Sequence, residues 1–570
     1  MPLGSALNSF RLLLSNLDSE KQTNNELVKK NKPDKPLVFP YGSEINSLER
    51  GEPEKYGYSK EYIQSFFNEL NSDFSIRENR VLVLKDNIVI GEQYLHPYVR
   101  DSWAAVFSAS KTIVALALGL LYDDGKVDLD MPVVKILDIE NKVTNARNKK
   151  ITLRHLLTMS TGITFNEMES ATTNSWVKSF FDSGYKFKLG SKFEYNSMNT
   201  FIISACVDKL AGKPLPQLVK ERIFDPLEIN LTHMDVNDEG HFKGGWGLHI
   251  LPEDMAKLGI LVKDYGLYKD KRIISIEWIR MMTSVQYYAT EFGHRLNYGF
   301  QIWVDEKNNY CVFNGMYDQD IFVFRNSGVV VVTCCANSEA FHGANHFKII
   351  AKYFARKSMG KFALCTRHAS RELVNLSNMS YYYDEIKNKE FVPTSNLANS
   401  CGILPLLLQN EVSTYVQGVK KIKFKSSGDK ESLFITEGNK TYRYDFNFDK
   451  GIRQTVNLYG NLYDINVDAK MILSGKGEIF LLIRFHFLEY ASVRYLNIKF
   501  GKSYDVISTE FSETPGLEFV ASIIEVQDES TKNLINNIIK SMNPAKATGQ
   551  AKNLFAPAFT MVNENKKEEL

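Results

Sequence analysis

A serine and a lysine three residues apart stand directly before an apolar run, and this stretch constrains the fold most strongly. Ser108 and Lys111 precede Ile113–Leu121, in which every residue is apolar or glycine. A helix that is apolar on every side is buried inside a domain, and residues three apart share one helix face. The stretch therefore predicts a hydroxyl and an amine that point together from the first turn of a buried helix, as a nucleophile and its activator do.

The Ser-x-x-Lys spacing alone is a weak signal, so the class of the protein has to come from the rest of the chain. The 570 residues favour more than one domain, and 44% hydrophobic with 24% charged residues is typical of a soluble globular protein. A formal net charge of +2 creates no strong field toward nucleic acid or an anionic membrane. We expect a small-molecule substrate and no nucleic-acid partner, and the oligomeric state stays open.

The cellular compartment is predicted from cysteine usage and from the lack of an export signal. No pair of the 6 cysteines has Cys-x-x-Cys spacing, which argues against a metal or redox site and favours a reducing compartment. No stretch approaches the roughly 20 apolar residues of a membrane helix. Met1–Asp18 lacks a basic start, and polar residues interrupt its apolar part. We predict a cytoplasmic protein without a membrane span.

Changes in composition along the chain predict four segments. Residues 1–39 form an N-terminal extension that is polar and rich in Lys and Asn over residues 19–36. Residues 40–365 form a first domain, residues 366–542 a second, and residues 543–570 a flexible tail.

The first domain alternates between strand and helix patterns. A hairpin over Arg80–Tyr94 precedes a mainly helical stretch, and strand patterns return between Tyr298 and Cys335. Tyr298–Trp303 is predicted as a single strand. This order predicts an α/β (α+β) sandwich whose sheet is assembled from both ends of the segment. The helices are predicted over Ser59–Leu70, Ser108–Asp123, the stretch that Thr152 caps, a stretch through Ile202–Leu210 that follows Phe193–Asn199, Pro216–Phe224, Pro252–Val262 and Phe347–Tyr353.

The second domain consists of short strand patterns separated by turns. Such spacing predicts a small antiparallel barrel or sandwich, with a closing helix over residues 529–542. The strands are predicted over Lys421–Ser426, Ser432–Thr436, Tyr442–Phe446, Lys470–Leu473, Glu478–Phe487 and Ser492–Phe500.

A second motif supplies further candidates for the chemistry. Tyr195 stands two residues before Ser197, and both precede the helix that ends near Ala211. Lys111 can take the proton of Ser108 only if burial lowers its pKa, and a phenolate of Tyr195 is the other candidate base, so the choice stays open. Ser197 would relay a proton or hold Lys111, although an N-cap role fits Ser197 or Asn199 equally well. His155, inside an apolar stretch, is interpreted as a packed helix residue.

The order of these motifs resembles the β-lactamase-related serine hydrolases, which include penicillin-binding proteins, class C β-lactamases, esterases and 6-aminohexanoate-dimer hydrolases. Phe107–Lys111 resembles their nucleophile motif, and Ile151–Gly162 resembles one of their helix-turn segments. Phe193–Thr200 is similar to their second motif, in the form found in the aminohexanoate-dimer-hydrolase branch. The resemblance covers about residues 40–360. It implies a β-lactamase/transpeptidase-like sandwich with an antiparallel sheet and a helical subdomain.

One motif departs from the family pattern. The family's edge strand usually carries Lys/His-x-Gly or a glycine-rich run ending in Gln, whereas this chain has Asn314–Asp320. Gln319 is retained, a basic residue is missing, and Asp318 replaces a usual glycine. By resemblance, the edge strand near Gly315 and Gln319 supplies one half of an oxyanion hole, and the backbone N–H of Ser108 supplies the other. Asp318 is expected to narrow the site or repel anionic substrates such as penicillins.

The resulting hypothesis is a serine hydrolase that cleaves a small amide or ester through a Ser108 acyl-enzyme, with no metal and no organic cofactor. The altered edge strand motivates an alternative, a binding or scaffold protein that has lost efficient catalysis. A D-amino peptidase or carboxypeptidase is a third possibility. The C-terminal domain would either shape the substrate entrance or act as a stability module.

Overall fold

The computed structural model describes two compact units. One contains the described residues up to 356, and the other contains those from 380 onward. The domain limits predicted at residues 40, 365 and 542 stay predictions. Within the described ranges, no helix has the length and apolar character needed to cross a membrane. The predicted N-terminal extension over 1–39 and the predicted helix over 529–542 lie outside the described residues, which are 43–170, 173–337, 344–356, 380–411, 414, 416–427, 430–473, 478–516 and 556–566.

A seven-stranded antiparallel sheet forms the centre of the first unit, counted over its described residues. The strands of this unit are β1 (Glu78–Lys85), β2 (Ile88–Tyr94), β3 (Ala104–Ala105), β4 (His233–Met234), β5 (Leu248–Ile250), β6 (Leu267–Tyr268), β7 (Lys271–Arg272), β8 (Asn297–Tyr298), β9 (Trp303–Asp305), β10 (Tyr310–Gly315), β11 (Gln319–Phe324) and β12 (Val329–Cys335). The order β2-β1-β12-β11-β10-β9-β8 pairs the first hairpin with the last strand. The prediction that both ends of the segment build one sheet is therefore confirmed.

Helices cover both faces of this sheet. They are α1 (Lys60–Ser72), α2 (Ser110–Asp123), α3 (Val133–Ile136), α4 (Leu153–Leu157), α5 (Glu167–Ser170), α6 (Trp176–Asp182), α7 (Ser197–Ala211), α8 (Leu215–Val219), α9 (Pro252–Lys263), α10 (Ile276–Met282) and α11 (Ala344–Phe354), with a π-helical turn over Lys220–Phe224. Because side chains alternate along a strand, Leu82 and Leu84 join the core with α2 and α9, whereas Val81 and Val83 face α1 and α11. The sandwich predicted from the sequence is confirmed.

The apolar helix α2 lies in the interior of the helical part, as its sequence predicts. Its residues from Ser110 to Leu121 are all buried, and it packs against α7 and α10. Gly119 sits on the indole of Trp278, where an added Cβ would lie 2.3 Å from ring atoms. This close approach explains a glycine inside a buried helix, where it would otherwise weaken the helix.

The prediction of a single strand over Tyr298–Trp303 is wrong. The chain reverses within this stretch, so that Asn297–Tyr298 and Trp303–Asp305 pair with each other as β8 and β9. Gln301 occupies the turn with a φ of +57°. Its side-chain amide donates to the carbonyls of Leu156 and Leu157 at 3.0 and 3.1 Å, which anchors the turn to α4.

The second unit is an antiparallel sheet that curls into a nearly closed barrel. Over its described residues it has ten strands in the order β16-β15-β14-β13-β22-β21-β20-β19-β18-β17. The backbone N–H of Ala469 donates to the carbonyl of Asn447 at 2.9 Å, which brings the two ends of the sheet together. The strands are β13 (Glu390–Pro393), β14 (Val419–Ser427), β15 (Lys430–Glu437), β16 (Lys440–Phe446), β17 (Ile452–Leu458), β18 (Asn461–Leu473), β19 (Ile479–Phe487), β20 (Ser492–Phe500), β21 (Val506–Thr514) and β22 (Ala558–Asn563); the helices are α12 (Ser380–Asp384) and α13 (Leu406–Glu411).

The prediction that residues 543–570 form a flexible tail is wrong for Ala558–Asn563. This segment is β22, and it pairs with β13 on one side and with β21 on the other. Its alternate residues Phe559 and Met561 are buried. The segment is ordered because it completes the middle of the sheet, and its partners are far away in sequence.

Candidate active site

The predicted nucleophile lies in a tight turn that leads into α2. Phe107–Ala109 form a 3-10 turn, and Phe107 has a φ of +45°. The backbone N–H of Val106 donates to the carbonyl of Leu248 at 3.0 Å, which ties the turn to β5. Ser108 is only partly buried, so its hydroxyl lies at the edge of the core.

Lys111 is brought against Ser108, as the three-residue spacing predicts. Its Nζ donates to Ser108 Oγ at 2.8 Å and to the carbonyl of Gly245 at 2.8 Å. The residue is 2% exposed, and no carboxylate among the described residues forms an ion pair with it. Burial therefore lowers the pKa of Lys111 to about 7, although the charge of Glu167 opposes this shift.

Tyr195 completes the cluster. The Nζ of Lys111 lies 4.8 Å from the centroid of its ring, and the ring is stacked on Trp303 at 5.5 Å. Burial raises the pKa of Tyr195 well above its ordinary value, and a hydrogen bond with Ser108 opposes the shift. The phenol is accordingly protonated at neutral pH.

The two predicted supporting residues have different surroundings. Ser197 is the first residue of α7 and lies against Gly245, where an added Cβ would approach Ser197 Cβ to 2.4 Å. Asn199 is fully buried and accepts a hydrogen bond from Thr161 Oγ1 at 2.6 Å, so its amide is engaged inside the core. The N-cap role considered for these residues belongs to Asn196, whose side chain accepts from the N–H of Met198 at 2.8 Å.

Two residues of the cluster were missed by sequence reasoning. Gly245 presents the carbonyl that accepts from Lys111, and the glycine-rich stretch Gly244–Gly247 was the available signal. Glu167 lies at the start of α5, and its Oε1 accepts from the N–H of Ser197 at 2.9 Å. The charge of this carboxylate raises the pKa of both Lys111 and Tyr195. A lone Glu carries no sequence signal for such a position.

Gly315 and Gln319 lie on either side of the turn between β10 and β11. The prediction of an edge strand is wrong for β10, because β9 pairs with its first half at Tyr310–Val312. Gly315 and Gln319 face each other in the register, and an added Cβ on Gly315 would come within 2.2 Å of the carbonyl of Val106. This strand therefore passes directly beside the nucleophile turn. The amide of Gln319 donates to the carbonyls of Tyr317 at 3.2 Å and Cys335 at 2.6 Å, so its side chain is held within the sheet.

Asp318 does not occupy the position expected of it. Its carboxylate accepts from Asn337 Nδ2 at 2.6 Å, and the residue is 2% exposed. A carboxylate that is turned into the protein does not narrow a substrate site.

His155 forms a capping box with Thr152 at the start of α4, in keeping with its interpretation as a packed helix residue.

Comparison with known proteins places this arrangement in a family. The family model described as Beta-lactamase matches residues 66–349. The 6-aminohexanoate-dimer hydrolase of Paenarthrobacter ureafaciens is 20% identical over 219 residues, which are 35% of this chain and 55% of that protein. The teichoic acid D-alanine hydrolase of Staphylococcus aureus is 25% identical over 297 residues, which are 45% of this chain and 72% of that protein. The chain thus spans little more than half the length of the first of these curated relatives.

Solved structures also match part of this chain. A D-stereospecific amidohydrolase from Streptomyces sp. is 17% identical and aligns with a TM-score of 0.41, covering 51% of this chain and 98% of that protein. Both curated relatives are named as hydrolases, in agreement with the predicted enzyme class. Residues 66–349 of this chain therefore belong to the beta-lactamase family, as the sequence predicted.

Proposed function

We propose that the chain is a serine hydrolase that cleaves an amide or ester bond through an acyl-enzyme on Ser108. The observation that carries this proposal is the 2.8 Å contact between Lys111 Nζ and Ser108 Oγ. A serine hydroxyl needs a base to become a nucleophile, and a buried lysine with a pKa of about 7 is such a base at neutral pH.

The directions of the pKa shifts favour Lys111 over Tyr195 as the base. Lowering the pKa of Lys111 populates the neutral amine, which can accept the Ser108 proton. Raising the pKa of Tyr195 keeps the phenol protonated, so it is suited to donate a proton to the leaving group. Ser108 Oγ would then attack the substrate carbonyl, the leaving group would depart with a proton, and water would hydrolyse the acyl-enzyme.

The developing negative charge on the carbonyl oxygen requires hydrogen-bond donors. The backbone N–H of Ser108 at the start of the α2 segment is one proposed donor, since helix N-termini favour negative charge. By resemblance to the family, the second is proposed to come from the ends of β10 and β11 near Gly315 and Gln319. The close approach of Gly315 to the carbonyl of Val106 supports this assignment, because it keeps the end of β10 next to the nucleophile turn.

The substrate is proposed to be a small amide or ester. One relative is named for the 6-aminohexanoate dimer and the other for D-alanine on teichoic acid. These names support a screen of linear amides, short-chain esters and D-alanyl esters or amides, and the last group also covers the D-amino peptidase alternative. The cytoplasmic location stays a prediction.

A covalent serine probe tests the proposal. A fluorophosphonate should label the purified chain once, and peptide mass spectrometry should place the adduct on Ser108. Ser108→Ala should remove the adduct. Ser110→Ala is the matched control, because the buried Ser110 hydroxyl accepts from the N–H of Leu248 at 3.2 Å, and this variant should still be labelled.

Two features of residues 314–320 favour the alternative, a binding or scaffold protein. The amide of Gln319 is engaged with the carbonyls of Tyr317 and Cys335, and no basic residue stands in Asn314–Asp320. A chain with an intact fold that neither forms the Ser108 adduct nor hydrolyses any member of the screen would support this alternative.

A further inference from the structure

The turn between β10 and β11 is held in an unfavourable backbone conformation beside the nucleophile. Tyr317 and Asp318 have φ values of +64° and +60°, which residues other than glycine rarely adopt. The ring of Tyr317 packs edge-on against Phe107 at 5.3 Å, one residue before Ser108. Such a conformation persists only where the surrounding structure holds it.

A buried polar network beneath this turn supplies the restraint. Asp320 has no exposed surface, and its Oδ1 accepts from Asn314 Nδ2 at 2.7 Å and from the backbone N–H of Gly315 at 3.3 Å. These bonds tie the last two residues of β10 to the second residue of β11. The carboxylate therefore fixes the positions of Asn314 and Gly315, which precede the turn.

His346 holds the opposite side of the same carboxylate. Its Nε2 lies 3.4 Å from Asp320 Oδ2 and 3.2 Å from Thr333 Oγ1, and the side chain is 1% exposed. Thr333 Oγ1 also donates to the carbonyl of Asp318 at 3.3 Å. The pair thus links α11, β12 and the turn inside the domain, where a charge needs a partner.

We propose that Asp320 and His346 are positioning residues for the hydrolysis reaction, which set the turn of residues 315–319 against the Ser108 nucleophile. This inference rests on the proposed function, because it assigns the pair to the acylation step at Ser108. Both side chains are buried, so their effect on the nucleophile is expected to pass through the backbone of Gly315 and through the Tyr317–Phe107 contact.

The rate and the extent of labelling separate positioning from folding. The amplitude of Ser108 labelling by a fluorophosphonate counts the correctly folded sites, and the rate constant per labelled site reports their geometry. In Asp320→Asn we expect this rate constant to fall about 10- to 100-fold with little change in probe affinity, because a 1 Å misplacement of a reacting group costs on the order of 100-fold. His346→Gln, which retains a neutral donor, should show a smaller fall, and it decides the question if Asp320→Asn does not fold.

A second buried ion pair provides the matched control. Asp254 and Lys257 are 5% and 1% exposed in their side chains and are joined at 2.7 Å within α9. Asp254→Asn should lower the melting temperature and leave the labelling rate per site unchanged. If both Asp320→Asn and His346→Gln are labelled at the wild-type rate per site, this inference is overturned but the proposed function is not. A wild-type chain that is never labelled would overturn the proposed function and this inference with it.

Discussion

At the scale of single residues, the chemistry of the site depends on how Lys111 is buried. The amine is surrounded by the core and donates to a carbonyl and a hydroxyl, namely Gly245 O and Ser108 Oγ. Neither acceptor carries a charge that would stabilise an ammonium ion as strongly as a carboxylate does. The neutral amine is thereby made accessible near pH 7.

Glu167 is expected to set the pH range of the reaction. Its negative charge raises the pKa of Lys111, so Glu167→Gln should lower that pKa and move the acid limb of the kcat/KM profile to lower pH. The measurement is the pH dependence of hydrolysis of an ester from the screen. Glu169→Gln, which removes a carboxylate from the same helix, is the control and should leave the acid limb in place. A limb that stays fixed, or moves to higher pH, in Glu167→Gln would contradict the assignment.

At the scale of elements, the start of α7 positions Tyr195. Asn196 caps the helix and donates from Nδ2 to the carbonyls of Ile163 and Phe165 at 3.2 and 2.8 Å, so one side chain fixes both the helix end and the segment before Glu167. Tyr195 immediately precedes this cap. The contacts of Asn196 therefore hold the helix end directly after the Tyr195 phenol.

Asn196→Ala should reduce both stability and activity. The loss of an N-cap costs about 1 kcal/mol, and the loosened segment should lower kcat/KM about tenfold, as expected for a misplaced catalytic group. Ser275→Ala removes the cap of α10, where the Ser275 hydroxyl accepts from the N–H of Trp278 at 3.1 Å, and serves as the control. Both variants should melt at lower temperature, but only Asn196→Ala should lose activity. Equal activity in the two variants would show that the cap does not position Tyr195.

The packing of α2 against α10 gives a prediction about stability. Gly119→Ala places a Cβ 2.3 Å from the Trp278 ring, and overpacking a core typically costs about 1–3 kcal/mol. Thermal unfolding should show a lower melting temperature for this variant. In Gly184→Ala the new Cβ would have its nearest contact at 3.6 Å from Thr164 Oγ1, so this variant should melt like the wild type. An unchanged melting temperature in Gly119→Ala would mean that the indole can move aside.

Local patterns in the sequence predicted the elements that local chemistry determines. The apolar run after Lys111 was sufficient for α2, and short runs rich in valine and isoleucine were sufficient for β1, β2 and β12. The hairpin within Tyr298–Trp303 escaped prediction because Gln301 is held by carbonyls of α4, and no local pattern encodes such contacts. The same reason applies to the carbonyl of Gly245 and to the carboxylate of Glu167, which reach Lys111 and Ser197 only through the tertiary fold.

At the scale of the whole molecule, the chain joins a domain of the beta-lactamase family to a separate antiparallel barrel. The barrel has its own buried polar groups. Glu437 is 1% exposed, its Oε1 accepts from the N–H of Ile403 at 3.0 Å, and its Oε2 accepts from the hydroxyl of Tyr459. Burial raises the pKa of Glu437 to about 7, although the N–H of Ile403 and the charge of Arg494 oppose this.

This carboxyl group should make the stability of the barrel depend on pH. Between about pH 4.5, the ordinary pKa, and pH 7, the folded chain retains a proton that the unfolded chain releases. The unfolded state therefore binds fewer protons, and the stability falls as the pH rises through this window. Hydrogen exchange of β15 peptides should become faster over this range in the wild type but change less in Glu437→Gln. Glu510→Gln, at a partly exposed position in β21, should behave like the wild type. Identical pH dependence in Glu437→Gln and the wild type would contradict the assignment.

The pH dependence of Ser108 acylation tests the central claim most directly. The rate of fluorophosphonate labelling would be followed by intact-protein mass spectrometry across a pH series, with the adduct mapped to its peptide. The buried Lys111 base predicts a single adduct on Ser108 whose formation accelerates as the pH rises through about 7 and then levels off. An adduct on another residue, or a rate on Ser108 that does not change between acidic and alkaline pH, would contradict the account.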